Sequence, residues 1–277
     1  MALKELLVIV DNDTGCRSRL DVVFGLATEH GARVVGLHVM PPPLTPLYAD
    51  VPIPESVEKL QRLEIEDAAR RAARAFAAAV AGSTVATEWR VAEGHVVREA
   101  TTHARYADLT VVPQSLDLGA PSADLGALPE ELALAVGRPV LVIPRYGAFA
   151  PIGRRVLVAW NGSREATRAV HDALPILTRA EQVTVLSIDP PMESEGARLP
   201  GADIALYLAR HGATTRVASI QGADLAVGDL LLSYAADNDI DLIVMGAYGH
   251  ARLREMVLGG ATRSLLQHMT APVLLSH

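Results

Sequence analysis

The strongest constraint on this chain is that it states one pattern twice. "ADLTVV" at residues 107–112 returns as "IDLIVM" at 240–245, and "GRPVLVIP" from Gly137 returns as "TAPVLLSH" from Thr270, both at an offset of 133. The opening apolar runs "LLVIVDN" and "VLVAWNG" lie 150 apart. The excess over 133 is taken up by the segment Pro41–Pro54 and a longer second helix in the first half. Two separate matches at one offset make chance similarity within a single large sheet the weaker account, and a repeat of this kind sets the architecture. A length of 277 residues fits two domains at ~150 residues each. Gly, Pro and Ala cluster at 146–153, so the expected domains are residues 1–147 and 153–277.

Within each half, short apolar runs rich in β-branched residues alternate with helical patterns. The expected strands are residues 6–10, 33–39, 88–91, 109–112 and 140–143, then 155–160, 182–188, 215–220, 242–245 and 273–275. These runs are continuous rather than alternating, as strands are when both faces of a parallel sheet are covered. The expected helices are 18–30, 55–81 and 95–106, then 165–177, 202–211, 228–238 and 253–268. Each half therefore reads β-α-β-α-β-α-β-(α)-β, an α/β doubly wound sheet with right-handed crossovers. Ligands on such sheets bind beyond the carboxyl ends of the strands, where the strand order reverses. The loops after the first and fourth strands of each half are the places to look.

Composition excludes several partners. Net charge is −7 with a pI near 5.7, and no run of Lys and Arg occurs. A nucleic-acid surface wants a basic patch, and acidity discourages anionic membranes. The single cysteine, Cys16, permits no internal disulfide and no Cys-based zinc site. The first apolar run is too short for a signal-peptide core, and no uncharged apolar stretch reaches ~18 residues. The cytoplasm is the expected compartment. The nine histidines show no HxxxH or HExxH spacing, so no metal site is expected. Walker A, GxGxxG and GxSxG motifs are absent. No catalytic residue is assigned; Asp189 and Glu255 could serve as a base, without support from any motif.

The loop after the second half's fourth strand carries the chemistry. From Met245 it reads M-G-A-Y-G-H-A-R-L-R-E-M-V-L-G-G-A-T-R. Gly246 and Gly249 bracket two residues, and Gly259 and Gly260 follow after nine intervening residues. Glycine permits positive φ and close backbone approach, so such a loop can turn its amides inward around an anion. A helix opening at the second glycine pair would add free N–H groups and a favourable dipole for phosphate. Thr262 could add a hydroxyl, and His250, Arg252 and Arg263 charge. The bland alternative is that the glycines serve turn geometry and helix packing alone.

These residues resemble the universal stress protein family. The spacing G-x2-G-x9-G is similar to that family's nucleotide-binding signature, and "DLIVMGAYGH", "APVLL" and "RVLVAWNGS" look like the family as well. The resemblance spans both halves. It implies two tandem Rossmann-like or flavodoxin-like domains, each a five-stranded, mostly parallel sheet with helices on both faces. It implies ATP or another adenine nucleotide, with magnesium as a companion ion, and a regulatory role in stress responses. Carried over residue by residue, the phosphate and ribose contacts fall on Gly246, Gly249, Gly259, Gly260, Ala261 and Thr262. Asn161 stands where many members have Asp, and Ala159, Trp160 and Met245 would neighbour the base. Gly260 departs from the family's usual Ser or Thr, which removes one phosphate hydroxyl. Two alternatives stay open on the same scaffold: a slow nucleotide hydrolase, and an interaction module that binds no nucleotide.

In the first half the glycine pattern is lost. At the offset of 133, Gly246 corresponds to Pro113, Gly249 to Leu116, Gly259 to Gly126 and Gly260 to Ala127. Proline removes an amide and leucine blocks close approach, so the ligand is expected in the C-terminal half only. Asp11 and Asp13 after the first strand could cap the following helix. Cys16, near a helix start, could be a stabilised thiolate or a small inert core residue. Trp160 and Tyr248 could flank an adenine or simply pack. Because single-domain members commonly dimerise, the tandem is expected to form an intramolecular pseudo-dimer with strands 140–143 and 273–275 side by side, hiding two edges. A further homodimer and an unidentified protein partner are also expected possibilities.

Overall fold

The computed structural model describes residues 2–43, 54–114, 127–189, 200–222, 225–249 and 260–277. Ten strands form one sheet: β1 (Glu5–Ile9), β2 (Arg33–Met40), β3 (Thr87–Glu93), β4 (Leu109–Pro113), β5 (Val140–Ile143), β6 (Arg155–Ala159), β7 (Gln182–Ile188), β8 (Thr215–Ile220), β9 (Leu242–Gly246) and β10 (Val273–Ser276). Their order is β3-β2-β1-β4-β5-β10-β9-β6-β7-β8. Neighbours within each half are parallel. The halves meet where β5 and β10 pair antiparallel, Val142 opposite Val273 and Val140 opposite Leu275, as the repeat leads one to expect. That junction sends the strands of the two halves in opposite directions, so their carboxyl ends open on opposite rims. The strand order reverses between β1 and β4 in one half and between β6 and β9 in the other.

The described helices are α1 (Cys16–His30), α2 (Glu55–Val80), α3 (Val96–Ala104), α4 (Leu128–Ala135), α5 (Arg164–Leu177), α6 (Ala202–Arg210), α7 (Val227–Asp237) and α8 (Gly260–His268). The stretch 253–259, expected to open the last helix, lies outside the described residues. Strand residues alternate between two cores. Leu6, Val8, Val156 and Val158 join α1, α2, α5 and α6 on one face. Leu7, Ile9 and Leu157 join α3, α4, α7 and α8 on the other. Both cores are mainly aliphatic, and burying each Leu or Val side chain contributes about 1.5–3 kcal/mol. Phe76 is the buried aromatic of the α2 layer; it fits because Gly36 of β2 lies beneath it, where a methyl would sit 2.6 Å from the ring.

The repeated aspartate has a structural role in both halves. Asp108 accepts the N–H groups of Lys4 (2.7 Å) and Glu5 (3.0 Å) at the start of β1. Asp241 accepts those of Gly153 (2.7 Å), Arg154 (3.0 Å) and Arg155 (3.0 Å) at the start of β6. Each carboxylate satisfies strand-end amides that the ladder cannot reach. Gln114 ties the halves together a second time: its Nε2 donates to the carbonyls of Leu266 and Gln267 in the last turn of α8. Among the described residues no helix is long and apolar enough to cross a membrane.

Candidate functional site

The second half's switch point is built from the turn after β6, the end of β9 and the start of α8. Asn161 folds the first turn, its side-chain oxygen accepting the N–H of Ser163 at 3.1 Å. Ser163 then caps α5, its hydroxyl accepting the N–H of Ala166 at 3.1 Å. Such a cap satisfies one of the donors that a helix start leaves without a partner. Glu165, in the first turn, is 8% exposed. A hydrogen bond from its own N–H, then Arg164 and His277, hold its carboxyl below the usual range, although burial opposes them. It is an anion already seated at a helix N-terminus.

The glycines divide into three cases. A methyl on Gly246 would lie 2.5 Å from the amide nitrogen of Ala166 and 2.5 Å from the carbonyl carbon of Glu165. Its bare α-carbon is thus required by the close approach of β9 to α5, the packing role weighed above. A methyl on Gly249 would meet the Glu165 carboxylate at 3.1 Å and Ser163 Oγ at 3.8 Å, so this turn closes over the α5 start. Among the described residues, a methyl on Gly260 would meet nothing within 4 Å. Gly260, Ala261 and Thr262 form the first described turn of α8, and Thr262 is buried. Gly259, with His250, Arg252 and Glu255, lies outside the described residues, as do Leu116 and Gly126 of the first half.

The residues expected near a base separate by face. Met245 and Ala159 belong to the core shared with α7 and α8, whereas Trp160 packs against the core on the α5 side. Tyr248 is buried with Met245, on the opposite face from Trp160, so the two aromatics do not bracket one plane. Tyr248 has a φ of 58°, a left-handed backbone that a bulky residue adopts only under strain. Its hydroxyl is buried without a partner, and burial, then Glu130, raise its pKa against Arg263. Asp189, after β7, accepts the N–H of Gly222 at 2.7 Å and so serves a turn.

The first half's switch point is closed by a group that the sequence reading missed. Arg19 of α1 is 1% exposed. Its Nε donates to the carbonyl of Ile9 at 2.9 Å, at the very end of β1. Its two terminal nitrogens reach Asp11 at 2.5 Å and Asp13 at 3.4 Å. Burial alone would lower its pKa; the two carboxylates outweigh that and keep the guanidinium charged. Asp13 pays for the crowding: burial pushes its carboxyl up to about 6, with Arg19 opposing and Asp11 adding. Asp11 and Asp13 therefore hold Arg19; they do not cap α1, which starts from Gly15 with no side-chain cap. The loop after β5 seals the turn, for a methyl on Gly15 would lie 2.9 Å from the carbonyl oxygen of Arg145. Cys16 is buried, and burial raises its thiol to about 11, the inert reading. His38 is buried, with Nδ1 2.7 Å from the carbonyl of Val10. A signal for Arg19 was available: Cys16, Arg19, Leu20, Val23, Ala27 and His30 recur at helical spacing, which puts position 19 on the inward face.

Comparisons with known proteins agree with this architecture. The model of the universal stress protein family matches twice, over residues 2–144 and 153–277. A universal stress protein of Synechocystis is 30% identical over 157 residues, covering 54% of this chain and 50% of its own. The chain thus spans about half the length of that curated relative. Among solved structures, a universal stress protein from Archaeoglobus fulgidus superposes with a TM-score of 0.71 at 18% identity, covering 98% of this chain and 95% of that one. One from Pseudomonas aeruginosa gives 0.59 at 16% identity, covering 99% and 93%. At these identities the structural likeness concerns the fold.

Proposed function

The chain belongs to the universal stress protein family, and from that premise we propose that it is a cytoplasmic regulatory protein of the stress response that binds one adenine nucleotide, at its C-terminal switch point. The nucleotide, ATP with its magnesium ion in the first instance, lies with its phosphates toward Gly249, Gly259 and the first turn of α8 at Gly260, Ala261 and Thr262. Asn161 meets the ribose, and Ala159 and Met245 border the base. Gly246 shapes the same corner by letting β9 approach α5.

The observation that supports this reading is the contrast between the two switch points. At the end of β1 a guanidinium and two carboxylates fill the space. The corresponding residues at the end of β6 are Asn161, Ser163 and Ala169, all uncharged. A buried ion cluster cannot be displaced by a phosphate without leaving charges unpaired, which costs several kcal/mol. The second half has no ion cluster at these positions; the charge at its corner is the single Glu165 carboxylate, which Arg164 pairs at 3.2 Å. Calorimetric titration of the nucleotide-free full chain with ATP tests the proposal: the expected stoichiometry is one per chain. Two equal sites, or no binding at millimolar ATP, would overturn it.

A further inference from the structure

A cavity of about 320 Å³ lies between the two halves, away from both switch points. Glu29 and His30 line it from the end of α1, Ile152, Gly153 and Arg154 from the connector into β6, and Ile176, Arg179 and Glu181 from the end of α5 and the turn into β7. Sites of a few hundred Å³ at domain junctions, with an apolar floor and a few polar groups, suit small molecules. Here the floor is Ile152 and Ile176, both buried.

The polar groups are not all satisfied within the protein. His30 is 6% exposed and its Nδ1 is buried without a partner. Arg154 and Glu181 neutralise each other at 2.9 Å. Arg179 forms no ion pair with a carboxylate among the described residues. Glu29 and Arg179 are both exposed, so solvent screens each of them in part. The charge that acts on the imidazole is Arg179: burial first, and then this guanidinium, push His30 below its ordinary range. A neutral, partnerless imidazole beside an unpaired cation lacks an anion.

We propose that this cavity binds a small organic anion, a carboxylate bearing a short apolar chain, with the carboxylate between Arg179 and His30 and the chain against Ile152 and Ile176. Such a ligand offsets the repulsion that the guanidinium exerts on the protonated ring, so binding favours proton uptake at His30 and tightens as pH falls through the range where that ring titrates. Glu29 on α1, Arg154 on the connector and Glu181 on the turn complete the charged groups around the ring.

The test uses the full, nucleotide-free chain labelled with ¹⁵N-histidine, the His30 signals being identified by His30→Gln among the nine histidines. Hexanoate is expected to shift the His30 signals saturably and to raise their titration midpoint. Arg179→Gln, a surface change, is expected to weaken that response by about ten-fold or more. Hexylammonium and inorganic phosphate are expected to leave the signals in place. An unmoved His30, an equal affinity in Arg179→Gln, or equal saturation by phosphate would each overturn the proposal. None of these outcomes depends on whether ATP binds elsewhere.

Discussion

Replacing Gly260 with Ser puts the nucleotide reading to its most direct test. The position is the one where this chain departs from the family's usual hydroxyl residue. Among the described residues a Cβ there meets no atom within 4 Å, and Gly260 is not among the glycines with positive φ. The substitution therefore adds a hydroxyl without steric strain. Within a helix Ser is also favoured over Gly by up to about 0.5 kcal/mol, so the melting temperature should hold or rise slightly. If a phosphate lies against the first turn of α8, the new hydroxyl gains a hydrogen bond to a charged group, about 1.5–3 kcal/mol. That corresponds to about 10- to 100-fold tighter binding. Isothermal titration of wild type and Gly260→Ser with ATP, and with adenosine as a ligand lacking phosphate, measures it. The expected result is a lower Kd for ATP and no change for adenosine. An unchanged Kd for ATP, or equal tightening for both ligands, would refute the placement of phosphate at Gly260.

Other substitutions separate packing from binding. Gly246→Ala forces a methyl against helix backbone at 2.5 Å, so urea unfolding should show a loss of about 1–3 kcal/mol; full stability would mean that β9 and α5 do not pack as described. The Cβ of Gly249→Leu meets the movable end of Glu165 at 3.1 Å and Ser163 Oγ at 3.8 Å, both side-chain atoms, so stability should stay near wild type while ATP binding is lost; retained affinity would remove Gly249 from the site. Arg19→Leu leaves Asp11 and Asp13 without their cation and should cost about 3–5 kcal/mol, with ATP stoichiometry unchanged; a second ATP bound would show that Arg19 alone blocks the first half. Burial pushes the Asp13 carboxyl up to about 6, above the ordinary carboxylate range, so the folded state holds its proton more tightly than the unfolded one. Its contribution to stability is greatest below pH ~4 and falls as pH rises to ~6. Asp13→Asn should therefore match wild type near pH 4 and equal or exceed it at pH 7 in thermal melts; a deficit appearing only at pH 7 would reverse the sign.

Much of the fold is legible in the sequence because strands covered on both faces leave unbroken apolar runs. The runs 140–143, 182–188 and 215–220 coincide end to end with β5, β7 and β8. Helix starts are less legible, since they depend on caps. Among the described helix starts only α5 has a side-chain cap, Ser163, whereas α1 follows Gly15 and α2 follows Pro54. α4 escapes firm bounds because "LPEELALA" is short and apolar on more than one side. At the site, spacing shows where glycine occurs and not what each glycine faces. Gly246 and Gly260 look alike in sequence, yet one is pressed against backbone and the other is open. Arg19 was hidden for a similar reason: a charged residue in a helix is read as surface unless its periodic position is given equal weight.

The two halves differ by a concerted set of residues, and this explains why one architecture can hold two states of the same corner. A guanidinium buried at the end of β1 is tolerable only with compensating charge, because an unpaired buried ion costs several kcal/mol. Asp11 and Asp13 supply that charge, and the carbonyl of Ile9 accepts the Nε–H. Any one of the three without the others would destabilise the half. At the offset of 150, all three positions are uncharged in the second half: Asn161, Ser163 and Ala169. Ser163 is then free to cap α5, a task that Asp13 does not perform for α1. Opening the first half to a ligand would accordingly need Arg19, Asp11 and Asp13 to change together, and relief of Pro113 as well. A chain carrying only the single Arg19 substitution should lose stability without gaining a site.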